Sequence, residues 1–339
     1  LAALEMNMGS VQQYGRKGLL FGITTYLIPF VSGFLAAHYI LGFGATTSVL
    51  FSCILASHTL ITYPIVGRFG LTRHPVVIVS VAATAVALFV ALLVLAIIIG
   101  TLQETNAMYW VFFALKCIVY GGFIIYAYPK IGRWFLRRYD DTIMQFIFML
   151  SLVFLSAALA ELAGLEGLLG AFLAGLALNR LIPRTSPLMS YIQFVGNALF
   201  IPYFLIGVGM LIDLRVLFGD VQTIWIVVVM VLVGTLSKWI ASRVMCWVSK
   251  DLKGGSMLMF GLTNAHAAGA LAIVMIGTDP QVDLMDASVL NATVMLILFS
   301  CIISSFATNE GARSLALMDM DTEENQGAWH GKCLVTYSQ

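Results

Sequence analysis

The sequence predicts an all-α polytopic membrane protein. Of its 339 residues, 60% are hydrophobic and only 10% are charged, whereas about 25% of residues are charged in a typical soluble domain. The apolar residues form long stretches separated by short polar segments, which is the pattern of repeated spanning helices. The net charge of +1 excludes an electrostatic nucleic-acid-binding protein, and the apolar content excludes a disordered chain.

Ten apolar stretches approach the length of about 20 residues that a spanning helix needs. They lie at residues 17–41, 45–66, 74–100, 108–128, 142–162, 165–183, 192–212, 222–248, 255–278 and 287–309. We therefore expect about ten transmembrane helices. Since the chain starts at Leu1, in a segment that resembles the end of a longer one, we also expect N-terminal helices to be missing.

The basic residues test this layout, because Lys and Arg close to the ends of spans stay on the cytoplasmic side. Of the 18 Lys and Arg residues, 15 fall on one side of the predicted membrane. Arg215 falls on the other side, and Lys116 and Lys238 lie inside spans. This distribution predicts that both ends of the chain are cytoplasmic.

Two segments outside the spans have a distinct composition. Residues 129–141 are basic and amphipathic, which fits either a helix on the inner membrane surface or a solvated loop. Residues 318–329 are acidic and polar and predict a linker, after which residues 331–338 alternate like a strand. This alternation is compatible with the start of a soluble domain.

Ionisable residues inside spans are costly and therefore point to function. Lys238 lies twelve residues before Lys250, or about 18 Å from the inner end of its helix. We expect Lys238 to face a cavity, with a purely structural lysine bonded to a carbonyl as the alternative. Glu161 is the only carboxylate that we place inside the bilayer, because Glu166 falls in the turn between two spans; solvation at the helix end or a hydrogen bond to a neighbouring helix also explains Glu161.

Two predicted spans contain polar residues that favour unwinding of the helix. One contains ASHTLITYP at residues 56–64, and the other contains GLTNAHAAG at residues 261–269. Unwound segments expose backbone carbonyls and helix ends that can hold an ion. Thr59, Thr62, Asn264 and His266 are therefore candidate ion-site residues, while a proline kink or tight helix packing would also explain each pattern.

The two interrupted spans occupy equivalent positions in two three-span units. Each is the middle member of its unit, at residues 17–100 and 222–309. The first unit starts on the cytoplasmic side of the membrane and the second on the outer side. Opposite topology of this kind is typical of an inverted repeat, in which the broken helices meet near the membrane midplane.

The chain resembles the monovalent cation:proton antiporter family, the bacterial sodium/hydrogen exchanger type with a universal-stress-like tail. The resemblance covers residues 1–317 and is most specific in the block AELAGLEGLLGAFLAGLALNRLIPRTSPL at 160–188 and FVGNALFIPYFLIGVGMLIDL at 194–214. LEMNM at 4–8, LSKW at 236–239, FGLTNAHAAGALA at 260–272 and SSFATNEGARSLAL at 304–317 support it.

The resemblance implies a sodium/proton antiporter-like fold with five regions. Residues 1–106 and 217–312 would form the two halves of a mobile core, 107–141 a linker helix with a cytoplasmic segment, 142–216 part of a dimerisation panel, and 313–339 a cytoplasmic linker. It further implies a homodimer in the lipid of the bacterial inner membrane. Monovalent cations and protons would be its substrates, with no cofactor and no nucleic-acid partner.

One feature departs from the resemblance. The family's ion-binding aspartate belongs in the span at 74–100, which contains no Asp or Glu, and Ala87-Leu88 occupies the expected place. The family's core lysine corresponds to Lys238, which is then left without its counter-ion. Because burying an unpaired ammonium is costly, Lys238 becomes our candidate for the protonatable group.

The sequence therefore predicts a secondary transporter that exchanges Na⁺ or K⁺ for protons by alternating access. The missing carboxylate leaves a second hypothesis, a sensor or channel-like module on the same fold that does not transport and is coupled to a cytoplasmic domain. An enzyme is not expected, because the spacing of the polar residues supports neither a nucleophile–base pair nor a metal site.

Overall fold

The computed structural model describes residues 4, 8–102, 107–165, 167–183, 185–210, 221–280 and 282–336, and within them it contains helices and no strands. The first half consists of α1 (Met8–Leu35), α2 (Ala45–Ala56), α3 (Tyr63–Arg68), α4 (Pro75–Leu102), α5 (Ala107–Arg138) and α6 (Thr142–Ala163). The second half consists of α7 (Gly167–Leu178), α8 (Pro187–Val195), α9 (Ile201–Met210), α10 (Val221–Val248), α11 (Ser256–Asn264), α12 (Ala268–Gly277) and α13 (Ala287–Thr336).

Seven helical segments of the described chain are long and apolar enough to cross a membrane. They correspond to seven of the ten predicted spans. The other three differ: the span at 45–66 is split into α2 and α3, the span at 165–183 contains the short helix α7, and the span at 192–212 is interrupted by a π-helical turn, Gly196–Phe200. Ten spans therefore stay a prediction, while a multi-pass helical membrane protein is confirmed.

The helices pack into two groups. The core group contains α1–α4 and α10–α13, with α1 against α4, α2 and α10, and with α11 against α13 and α4. Gly18 and Gly22 allow the close contact of α1 with α4, because a Cβ at either position would lie 2.6 Å from a side-chain atom of Ala82 or Val86. The panel group contains α5–α9, in which α6 packs against α5, α7 and α8.

The structure decides between alternatives in two segments outside the spans. Helix α5 continues to Arg138, so residues 129–138 are helical and the loop alternative is wrong there, and Phe135 stacks on Phe148 of α6 with ring centroids 3.7 Å apart. Helix α13 continues to Thr336, so residues 331–336 do not form a strand. The end of the predicted strand, residues 337–338, lies outside the described residues.

Candidate functional site

The second predicted span is broken where the sequence places its polar residues. Helix α2 ends at Ala56, residues 57–62 leave the helix, and α3 begins at Tyr63. Pro64 lies in the first turn of α3, where its missing N–H costs no helical hydrogen bond. The hydroxyl of Ser57 donates to the carbonyl of Ile54 at 2.9 Å and satisfies one group at the end of α2.

The ninth predicted span is broken in the same way. Helix α11 ends at Asn264, residues 265–267 leave the helix, and α12 begins at Ala268. The two breaks meet, because the Thr59 N–H donates to the carbonyl of Ala265 at 2.9 Å. We call residues 57–62 and 265–267 and the helix ends beside them the helix crossing. The predicted broken, crossing helices are therefore present.

The carbonyl groups at the end of α2 accept hydrogen bonds from side chains in the second half of the chain. A helix leaves its last carbonyls without intrahelical donors. His266 Nε2 lies 3.1 Å from the carbonyl oxygen of Leu55, and Lys238 Nζ donates to that of Ala56 at 2.7 Å. A cation is favourable at this position, because the carbonyl end of a helix carries partial negative charge.

Lys238 is fully buried and makes three hydrogen bonds. Besides the carbonyl of Ala56, Nζ contacts the carbonyl of Thr25 at 2.9 Å and Nδ1 of His58 at 3.0 Å. The carbonyl of Thr25 is accessible because the residue four positions later is Pro29, which has no N–H to donate to it. Three neutral acceptors thus match the three N–H groups of an ammonium. The sequence analysis left Lys238 without its counter-ion and gave a carbonyl partner as the alternative; the structure supplies two carbonyls and an imidazole.

The polar candidates at the helix crossing are connected to α13. Asn264 Nδ2 donates to the hydroxyl of Ser304 at 3.3 Å and to the carbonyl of Ser300 at 3.4 Å. Thr62 Oγ1 donates to the carbonyl of Gly261 at 3.3 Å and accepts from the hydroxyl of Thr308 at 3.0 Å. These contacts fix the orientation of Asn264 and Thr62, both of which are buried.

Several buried atoms at the crossing have no hydrogen-bond partner among the described residues. They include Thr59 Oγ1, Asn264 Oδ1 and His266 Nδ1. Buried polar atoms in proteins are nearly always paired, so unpaired ones indicate a place for a ligand or water. Amide and hydroxyl oxygens suit hard cations.

The position of the missing aspartate also belongs to the crossing. A Cβ at Gly269, in the first turn of α12, would lie 3.1 Å from Cδ1 of Leu88 and 3.6 Å from Cβ of Ser57. Leu88 is buried, with 9% of its surface exposed. The structure therefore places an apolar side chain of α4 beside both breaks.

Glu161 does not join the crossing. It is exposed near the end of α6, and its Oε1 would lie 2.8 Å from a Cβ at Gly167 of α7. Helix α6 packs mainly against other members of the panel group. The sequence analysis also missed His58 as a site residue, although its motif was identified, and missed Ser300, Ser304 and Thr308. The spacing of these three α13 residues, at intervals of four, was the available signal.

The chain matches the model of a family described as "Sodium/hydrogen exchanger, transmembrane" over residues 1–309. It is 33% identical to the Na(+)/H(+) antiporter NhaS5 of Synechocystis sp., over 97% of this chain and 49% of that protein. It is 26% identical to the probable Na(+)/H(+) antiporter 3 of Methanocaldococcus jannaschii, over 87% of this chain and 78% of that protein.

A third relative is the Na(+)/H(+)-K(+) antiporter GerN of Bacillus cereus, at 22% identity over 90% of this chain and 78% of the relative. The chain spans about half the length of NhaS5 and more than three quarters of the other two.

Proposed function

This chain belongs to the sodium/hydrogen exchanger family, and on that premise we propose that it exchanges a monovalent cation, Na⁺ or K⁺, for protons across a membrane. The observation that carries the proposal is the fully buried Lys238, which donates to the last carbonyl of α2 at the same helix crossing that contains the unpaired oxygen atoms of Thr59 and Asn264. A protonatable amine next to cation ligands is the minimum that such an exchange requires.

Competition between two positive charges couples the two substrates. An ammonium at Lys238 and a cation at Asn264 and Thr59 would share a buried region, where like charges repel strongly. Cation binding therefore favours release of the proton from Lys238, and protonation favours release of the cation. Thr62, tied to Thr308 and to the Gly261 carbonyl, holds the two breaks in register.

Alternating access is the movement that fits this architecture. The core group carries the crossing and would move against the panel group, exposing the site to one side at a time. We also propose, from the family resemblance and the distribution of basic residues, a homodimer formed through the panel group in the bacterial inner membrane. Both ends of this chain would be cytoplasmic.

The orientation can be tested with single cysteines in a background lacking the native ones. Asp140→Cys, between α5 and α6, should react with a membrane-impermeant reagent only after the cells are opened. Asp286→Cys, before α13, should react in intact cells. The reverse pattern would contradict the orientation.

The exchange itself is tested in proteoliposomes that contain a pH-sensitive dye and receive pulses of Na⁺ or K⁺. We expect cation-dependent proton movement from the unmodified chain and at least a tenfold loss in Lys238→Met, because proton carriers contribute factors of about 10²–10⁴. Lys116→Met is the matched control, since Lys116 is an exposed lysine within a span of the panel group. Both variants should first be shown to elute as folded protein.

Equal rates in the unmodified protein and Lys238→Met would contradict the role of Lys238, and no exchange by either would contradict the function. The non-transporting sensor is not favoured, because the relatives in these comparisons are named as antiporters.

A further inference from the structure

The number of charged side chains at the helix crossing limits how many protons can be exchanged for each cation. Lys238 is surrounded by two carbonyl oxygens and the imidazole of His58, all neutral as acceptors. The span that could supply a carboxylate, α4, contains neither Asp nor Glu in residues 75–102. At the position beside both breaks it carries Leu88.

The two histidines at the crossing are neutral while Lys238 is charged. His58 Nδ1 accepts a hydrogen bond from the ammonium and so carries no proton itself. His266 uses Nε2 to donate to the carbonyl of Leu55, and its Nδ1 has no partner among the described residues. An imidazolium at either position would place a second positive charge in the same buried region as the ammonium of Lys238, where like charges repel strongly.

Three further titratable side chains beside the crossing are a phenol and two thiols, which are neutral near pH 7. Tyr26 of α1 and Cys53 of α2 contact each other, with the phenol oxygen and the thiol sulfur 3.7 Å apart. Cys301 of α13 donates its thiol proton to the carbonyl of His266 at 3.4 Å. One positive charge, on Lys238, is therefore the whole formal charge of the described crossing in its protonated state.

We propose, resting on the proposed function, that this chain exchanges one monovalent cation for one proton and moves no net charge. In the proton-loaded state the crossing carries the ammonium of Lys238. When a cation binds, one N–H bond of Nζ breaks, Nζ keeps the electron pair, and the proton passes to water on that side. The crossing then carries the cation and a neutral amine, so both loaded states have one positive charge.

This count differs from what a carboxylate would produce. An aspartate beside Lys238 would add a second group that binds a proton, so that two protons could be exchanged for each cation. Here Leu88 occupies that position, and the second proton has no carrier.

The test is the gradient at which transport stops. Proteoliposomes with an imposed pH difference are allowed to reach balance, and the Na⁺ ratio across the membrane is measured. With an ionophore holding the membrane potential at zero, a one-for-one exchanger stops when the cation ratio equals the proton ratio, whereas a two-proton cycle continues to the square of it. In parallel, charge displacement is recorded on a solid-supported membrane, where we expect no sustained signal.

Two substitutions at one position provide the matched comparison. Leu88→Asp adds a second protonatable group, and Leu88→Asn has nearly the same shape without it. We expect Leu88→Asn to keep the one-for-one balance, and Leu88→Asp to exceed it and to displace charge. Both are compared only as protein that elutes in a folded state.

A balance above the proton ratio in the unmodified protein, or sustained charge displacement by it, overturns one-for-one exchange and leaves the proposed function standing. The same balance in Leu88→Asp and Leu88→Asn would overturn the charge count. Absence of any cation-dependent proton movement in the unmodified protein overturns both the inference and the proposed function.

Discussion

Pro29 determines which groups Lys238 can bind. An ordinary residue at position 29 would donate its N–H to the carbonyl of Thr25 within α1, and that carbonyl would be turned into the helix. Because proline has no N–H, the carbonyl is free to accept from Lys238 Nζ at 2.9 Å. A proline in one helix thus completes the hydrogen bonding of an ammonium on another.

Replacing this proline gives a prediction at the residue scale. In Pro29→Ala the new N–H competes for the carbonyl of Thr25, so the ammonium of Lys238 loses part of one of its three acceptors. A hydrogen bond to a charged group contributes about 1.5–3 kcal/mol, so we expect the pH of half-maximal exchange to fall by up to about one unit.

The control for this variant is Pro129→Ala, which changes a proline inside α5, outside the crossing. The pH of half-maximal exchange is measured in proteoliposomes for both variants and for the unmodified protein. An identical pH profile for Pro29→Ala and the unmodified protein would show that the Thr25 carbonyl does not matter to Lys238.

The sequence was sufficient to identify Lys238 and the two breaks, because each depends on local features. A lysine deep in an apolar stretch, and short polar residues followed by Pro64, are visible without a structure. The partners of Lys238 were not predictable, because Thr25 and Ala56 lie 213 and 182 positions away in the chain. Nothing in the local pattern around Lys238 specifies which carbonyl reaches it.

At the level of elements, close contact between α11 and α13 supports the helix crossing. Gly261 of α11 lies so near α13 that a Cβ would be 2.5 Å from both the backbone nitrogen and the hydroxyl oxygen of Thr308. The same hydroxyl donates to Thr62, which lies just before α3 in the first half of the core group. The spacing of two helices in one half therefore fixes a polar contact to the other half.

A single methyl group at this glycine should disturb the crossing. In Gly261→Ala, α11 and α13 must separate or the Thr308 side chain must turn, and overpacking of this kind costs about 1–3 kcal/mol. We expect a lower thermal unfolding midpoint and slower exchange. Gly121→Ala in α5 is the control, because nothing lies within 4 Å of its new Cβ.

An unfolding midpoint for Gly261→Ala as high as that of Gly121→Ala would contradict the close contact.

Close contacts made at glycines also explain why helix lengths were easier to predict from the sequence than helix contacts. The apolar stretches set the lengths, whereas the contacts depend on small residues whose partners are distant in sequence. The segment after the acidic linker was predicted wrongly, because short-range alternation in residues 331–336 suggested a strand where the structure continues α13.

At the scale of the whole molecule, an ion pair joins the two halves of the core group, α1–α4 and α10–α13, on one side. Lys17, in the first half, contacts the carboxylate of Asp251, which follows α10 in the second half. A hydrogen bond from Lys17 and the charge of its ammonium hold the pKa of Asp251 below its usual value. The Lys17 and Asp251 side chains are 34% and 68% exposed, so the pair is screened by solvent and its contribution is small.

The acid and salt dependence of unfolding test this link. Because the pKa of Asp251 is lower in the folded state than in the unfolded chain, its stabilising contribution is present above about pH 4, the unfolded value. That contribution disappears as the pH falls through the lowered folded value. We expect Asp251→Asn to lower the thermal midpoint slightly near neutral pH, and the difference from the unmodified protein to vanish in acid and at high salt.

A double-mutant cycle with Lys17→Met isolates the interaction, since the effect of Asp251→Asn should vanish once Lys17 has been replaced. If Asp251→Asn destabilises the protein equally with and without Lys17, the ion pair does not join the two halves. A link that weakens in acid and in salt is compatible with two halves of the core group that are held together mainly by helix packing, such as that of α1 against α10. A difference that persisted in molar salt would instead indicate a rigid connection.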